Sequence, residues 1–157
     1  MNPKPEFVYV TYICTTPEKL WKALTDGELT RQYWGRRINK SDWNPGSPWE
    51  HRDCDDPKLL DIVGKVVESQ PPRRLVLTWA FPADAANEAK HSRVTFEIDP
   101  FGDAVRLTVT HENFEPGSDM LPRIARGWPA VLSSLKTMLE TGKPLAMTTT
   151  RAGWPPK

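Results

Sequence analysis

The feature that most constrains this sequence is a change of hydrophobic period. Val94, Phe96 and Ile98, then Val105, Leu107 and Val109, recur at every second position. Leu121, Ile124, Trp128, Val131, Leu132, Leu135, Met138 and Leu139 recur at threes and fours. Alternation at two places one face of a strand on a core and the other in water. Spacing at three and four places one stripe of a helix there. A sheet with one apolar face cannot stand bare, and the one long amphipathic helix is the element able to cover it.

The remaining segments fill in this outline. Phe7 to Ile13 is β-branched and aromatic and reads as a strand. Thr15-Thr16-Pro17-Glu18 starts a helix carrying Leu20, Trp21 and Leu24, which Asp26-Gly27 stops. Glu28 to Tyr33 follows as a second short helix. Ile38 to Trp43, Trp49 to Asp53, Leu59 to Ser69 and Arg74 to Phe81 read as strands. Turn signals at Asn44-Pro45-Gly46-Ser47, Asp55-Asp56-Pro57 and Pro71-Pro72 separate them. Gly64, inside the third of these strands, marks a bulge or bend. Residues 82–90 read as a loop, and Asp99 to Asp103 as a hairpin loop. The long helix is expected over residues 129–141, beginning earlier with a bend near Pro129. Gly142 and Pro144 end it.

The expected fold class is α+β: a seven-stranded curved antiparallel sheet wrapped around a long C-terminal helix, with two short helices between strands 1 and 2. One domain should span residues 1–142, with residues 143–157 as a tail in which Trp154 is expected to dock. Leu75, Leu77, Trp79, Val94, Phe96, Leu107, Val109 and His111 should face the helix, and Arg93, Thr95, Arg106 and Thr108 the solvent. A slip of one residue would invert every one of these. Val8, Val10 and Tyr12 form a second apolar face on the first strand, which is either a contact between two copies of the chain or the seat of another element.

Composition excludes several classes. Twenty-one Lys and Arg against 20 Asp and Glu leave a net charge of +1, which gives no electrostatic reason for nucleic acid or an anionic membrane as partner. No apolar run is long enough to span a bilayer, and Met1 to Pro5 has no run of the signal-peptide kind. The cytoplasm is the expected location. Cys14 and Cys54 form no C-x-x-C pair and read as reduced thiols. There is no G-x-S-x-G, no G-x-G-x-x-G and no P-loop, so neither a catalytic nucleophile nor a cofactor is indicated. His51, Asp53, Cys54 and His111 are the only set from which a metal could draw ligands. They lack a recognised spacing, and no metal is expected.

A set of short segments runs in order along the chain. They are Thr16-Pro17-Glu18-Lys19-Leu20-Trp21-Lys22-Ala23-Leu24-Thr25-Asp26, Tyr33-Trp34, Pro45-Gly46, Gly64-Lys65-Val66-Val67-Glu68, Pro72-Arg73-Arg74-Leu75-Val76-Leu77-Thr78-Trp79, Leu107-Thr108-Val109-Thr110-His111, and Gly127-Trp128 leading into Leu132, Leu135 and Leu139. In that order and spacing the chain resembles the START-like superfamily of helix-grip proteins over roughly residues 7–142. Within it, the chain is similar to the subgroup related to the C-terminal domain of the activator of the heat-shock-protein-90 ATPase. The resemblance implies a cavity between sheet and helix. It leaves function open, because the superfamily holds lipid carriers, hormone receptors, cyclases and co-chaperone domains.

The candidate site follows from the inward faces. Trp34, Trp49, Trp79, Phe96, Trp128 and Leu132 would wall an apolar cavity, with His51 and His111 as its few polar groups. Each aromatic taken singly also reads as ordinary core, and each histidine as a core imidazole satisfied by a neighbour. The charged cluster around Arg31, Arg36 and Arg37 reads as a solvated face. Three functions are consistent with this picture. The chain is a carrier or sensor for a small apolar or aromatic molecule, a cyclase or dehydratase using a cavity histidine, or an interaction protein that stimulates a chaperone ATPase. The partners are accordingly a small hydrophobic molecule, a second copy of the chain, or a chaperone.

Overall fold

The computed structural model describes residues 4–151. Residues 1–3, and Trp154 with the docking expected of it, lie outside the described residues. The elements run β1 (Phe7–Ile13), α1 (Pro17–Thr25), α2 (Gly27–Tyr33), β2 (Arg37–Lys40), β3 (Pro48–Asp53), β4 (Leu60–Gln70), β5 (Arg74–Trp79), β6 (Ser92–Phe101), β7 (Ala104–Glu112) and α3 (Met120–Thr141). The seven strands form one curved antiparallel sheet in the order β1-β7-β6-β5-β4-β3-β2. β1 and β2 are thus opposite edges. The two short helices carry the chain from one edge to the other, and each later strand pairs with its predecessor until β7 closes onto β1.

Local chemistry sets the helix ends. Thr16 Oγ1 accepts from the Lys19 amide at 3.2 Å, and Pro17 opens α1. Asp26 ends α1 and caps α2 by accepting from the Glu28 amide at 2.9 Å. α3 is continuous through Pro129. The carbonyl that Pro129 leaves without a donor belongs to Ala125, an exposed residue, so water can take that place. Gly142, with φ +85°, terminates α3, and its amide donates to the Met138 carbonyl at 2.8 Å.

Facing follows the alternation. Leu75, Leu77, Trp79, Val94, Phe96, Leu107, Val109 and His111 are all buried, while Arg93 and Arg106 are exposed. Of the other two residues expected in solvent, Thr95 is buried and Thr108 only partly exposed; both sit mid-sheet, Thr95 between Val76 and Thr110 and Thr108 between Glu97 and Val10. On α3, Met120 and Ser134 complete the buried stripe, whereas Leu121 and Leu139 are only partly buried.

Local details differ from the sequence reading. β2 stops at Lys40, because Ser41 Oγ and Asp42 Oδ1 take the amides of Trp43 and Asn44 in a local turn. The hairpin between β6 and β7 is a two-residue turn, Gly102-Asp103, since Pro100 and Phe101 still pair with Val105 and Ala104. A proline at a strand end costs only one ladder bond. Gly64 marks a close approach: a Cβ there would lie 1.9 Å from the Thr78 carbonyl oxygen. The register shift itself falls a little further on, between Val66 and Glu68.

Val8, Val10 and Tyr12 are about half exposed, and Tyr12 packs on exposed Phe101 with ring centroids 4.9 Å apart. No described element lies over this face. The segment after α3 does dock. The Gly35 amide donates to the Thr148 carbonyl at 2.7 Å, and the buried hydroxyls of Ser134 and Thr148 are 2.6 Å apart. No helix among the described residues is long and apolar enough to cross a membrane.

Candidate ligand cavity

Between the concave face and the N-terminal half of α3 lies a cavity of about 190 Å³. Its apolar wall is aromatic: Trp34 from the end of α2, Trp79 from β5, Phe81 just beyond, and Trp128 from α3. Ile62, Met120, Ile124 and Val131 complete that wall. Trp128 packs edge-on against Trp34 and tilted against Trp79, with centroids 5.4 and 5.5 Å away, while Trp34 and Trp79 lie closer to parallel at 6.4 Å. Such geometry suits rings whose faces are electron-rich and whose edges are not.

His51, on β3, lines the cavity. Its Nδ1 lies 2.6 Å from Asn39 Oδ1, and the Asn39 amide nitrogen donates to the Leu24 carbonyl. Asn39 therefore offers His51 an acceptor, Nδ1 carries the proton, and Nε2 keeps its lone pair. Burial first, and the nearby Arg37 charge second, pull the imidazole down to about 3. It is neutral at physiological pH.

His111, on β7, does not reach the cavity. Trp128 Nε1 can only donate, and it does so to His111 Nδ1 at 3.1 Å. Ser92 Oγ, which itself donates to the Trp79 carbonyl, faces His111 Nε2 at 2.7 Å and accepts from it. Both nitrogens are satisfied, and burial lowers the imidazole to about 3. His111 thus ties sheet to helix behind the cavity wall. Trp49, Phe96 and Leu132 also lie behind it: Trp49 Nε1 donates to the Thr78 carbonyl, Phe96 packs edge-on against Trp128, and Leu132 is fully buried. Of the residues singled out from sequence, the cavity gathers Trp34, His51, Trp79 and Trp128.

The structure adds a charged group that the sequence reading placed in solvent. Arg37 is buried, because β2 turns it inward opposite Asp53, on the same face as Asn39. Its Nε donates to Asp61 Oδ2 at 3.1 Å. Arg151, from the segment beyond α3, grips both oxygens of Asp61 at 2.8 and 3.0 Å and also reaches Asp53. Burial raises the Asp61 carboxyl, but the bonds from Arg151 and the charge of Arg37 outweigh that and hold it below the usual carboxylate range. Arg36 and Arg31 do lie at the surface, paired with Asp55 and Glu28. Exposed Arg123 stands over the Phe81 ring at 5.3 Å and lines the cavity from α3. Three buried donors have no acceptor among the described residues: Arg37 Nη1, Arg52 Nε and Trp79 Nε1. Among the described residues no group of three or more His, Cys, Asp and Glu side chains is arranged to hold a metal ion.

An antiparallel sheet gripping one long helix, with an aromatic cavity between them, defines a helix-grip protein. The model of the family described as Activator of Hsp90 ATPase homolog 1-like protein matches residues 14–140. The chain belongs to that family. No curated protein matches the sequence. Among solved structures, the chain is similar to CalU16 from Micromonospora echinospora, with TM-score 0.71 and 19% identity over 90% of this chain and 69% of that one. It is also similar to PFC0360w, described as an HSP90 activator from Plasmodium falciparum, with TM-score 0.70 and 23% identity over 85% and 95% of the two chains. The Aha1 dimer from Colwellia psychrerythraea gives TM-score 0.68 and 22% identity over 88% and 98%. At these identities the likeness establishes the fold.

Proposed function

We propose that this chain binds a small apolar or aromatic molecule in the cavity between its sheet and α3, as a carrier or sensor. The observation that carries the reading is the cavity itself, walled by Trp34, Trp79, Phe81 and Trp128. An apolar cavity of about 150 Å³ accommodates benzene, so the 190 Å³ here has room for at least one ring, and its open side lets a larger molecule extend outward. Burying one ring removes about 150–250 Å² from water. At roughly 25 cal/mol per Å² that is about 4–6 kcal/mol before the cost of immobilisation. Burial of the ring alone therefore sets a limit no tighter than tens of micromolar on the dissociation constant.

A cyclase or dehydratase using a cavity histidine fits less well. His111 is committed to Ser92 and Trp128, and His51 is neutral with its proton held by Asn39. The test of binding is a mass spectrum of molecules that co-purify with the chain, together with calorimetric titration of single-ring aromatics. Saturable binding supports the reading. An empty spectrum and no heat across a broad set would reject it.

A second reading is an interaction protein that stimulates a chaperone ATPase. It draws on the family's description and on the neighbour described as an HSP90 activator. Acceleration of ATP hydrolysis by a purified Hsp90 on adding this chain would favour it, and an unchanged rate would remove it.

A further inference from the structure

His51 presents an acceptor to the cavity. Its imidazole is 3% exposed, lines the cavity and packs against Trp34 and Trp79, with ring centroids 4.8 and 6.1 Å away. Asn39 fixes which ring nitrogen does what. The Asn39 amide nitrogen donates to the Leu24 carbonyl, so its oxygen is the atom turned to His51 Nδ1 at 2.6 Å. Nδ1 therefore carries the ring proton, and Nε2 is left as a bare acceptor. The bond to Asn39 is the ring's only hydrogen bond among the described residues. Nor is Nε2 one of the unpaired atoms sealed within the protein, which are Arg37 Nη1, Arg52 Nε and Trp79 Nε1. Its lone pair thus opens on the space that the imidazole lines. The charges beside it are balanced, with Arg37 and Arg151 against Asp53 and Asp61. Burial keeps the imidazole itself neutral. A neutral acceptor in such a place is matched by a neutral donor, because an ion would be desolvated with no opposite charge to meet it.

Resting on the reading of the cavity as a ligand site, we propose that the ligand is a neutral aromatic hydroxyl compound of the phenol class, with its ring against the indoles of Trp34, Trp79 and Trp128 and its hydroxyl donating to His51 Nε2. Nε2 cannot donate in this tautomer, so an ether, ketone or carboxylate oxygen gains nothing from it. A ligand that displaces solvent from Nε2 without bringing a donor forfeits the bond. Asn39 has the positioning part: by accepting from Nδ1 it keeps the proton off Nε2. Asp61, another acceptor on the wall, is already engaged by Arg37 and Arg151.

The test is calorimetric titration of phenol and of anisole into the full chain. Both probes bring the same ring and an oxygen on it, and only phenol has a proton to donate. His51→Phe keeps a flat ring and removes the acceptor. The phenol-to-anisole affinity ratio should fall roughly three- to ten-fold in this variant, the span of one neutral hydrogen bond. Anisole should still bind it, which shows the cavity is intact. Because His51→Phe also leaves Asn39 Oδ1 without its donor, a measurement on the wild type runs beside it. In chain isotope-labelled at the histidine nitrogens, the magnetic resonance of the unprotonated His51 Nε2 should move upfield on adding phenol and stay in place on adding anisole. An unchanged ratio in His51→Phe would overturn this inference and leave the ligand site standing. So would a Nε2 resonance indifferent to saturating phenol. If neither probe binds the wild type, the ligand site itself fails and the inference with it.

Discussion

The indole N–H of Trp128 on α3 donates to Nδ1 of His111 on β7 across 3.1 Å. This bond joins the two sequence periods, one residue from the helical stripe and one from the alternating strand. It also decides the tautomer of His111, because an indole has nothing to accept with.

Trp128→Phe should test that bond alone. It leaves His111 Nδ1 buried without a donor, at a cost of about 1–3 kcal/mol. Trp128→Ala removes in addition a ring that is 3% exposed and should cost about 3–5 kcal/mol. Urea melts of the two variants give the difference. A loss below about 1 kcal/mol for the alanine variant would mean the ring is not structural.

Acid should destabilise the fold through its two buried imidazoles. His51 and His111 are held near 3, below the ordinary 6.5. Between those values the unfolded chain binds more protons than the folded one. Stability is therefore complete above about pH 6.5 and falls as the pH drops toward 3. The slope approaches about 1.4 kcal/mol per pH unit for each histidine. Denaturant midpoints at pH 7, 6 and 5 should fall steadily, and a flat profile over this range would contradict the neutral assignment. His111→Gln should reduce the slope by roughly half.

Gly64→Ala should unfold the protein or cost at least about 3 kcal/mol. The added methyl would sit 1.9 Å from the Thr78 carbonyl oxygen and 2.5 Å from Trp49 Nε1, breaking the bond between them. A soluble variant with an unchanged melt would show that β4 and β5 can separate at this point.

Arg151→Gln should lower stability by about 1 kcal/mol, since Arg151 is partly exposed and solvent screens its pairs. A double-mutant cycle with Asp61→Asn isolates the coupling. Additive losses would show that the two side chains do not act together.

Much of the fold was legible because it rests on period. Val94 to Val109 and Ile124 to Met138 each announce their element and their inward face. The hidden parts depend on contacts distant in sequence. Ser134 breaks the apolar stripe of α3, and nothing nearby explains it; its partner is Thr148, fourteen positions on. Arg37 looked like surface because it follows Arg36 at the start of a short strand. Its burial depends on Asp61, twenty-four positions away. Trp49, Phe96 and His111 shared a face with the cavity residues. Whether such a residue walls the space or backs it is decided by where α3 crosses the sheet, and alternation carries no information on that. His111 stands apart in one respect: its neighbours Ser92 and Trp128 come from two other elements, and only their convergence makes it a tie rather than a reactive group.

The packing of the indoles has an optical consequence. Trp34, Trp79 and Trp128 lie with ring centres 5.4 to 6.4 Å apart, and Trp49 sits 5.1 Å from Trp79. At such spacing the transition dipoles couple and excitation migrates among the rings before it is emitted. The four rings are therefore expected to share their excitation by transfer. A molecule seated beside Trp79 would dim the emission of all four together.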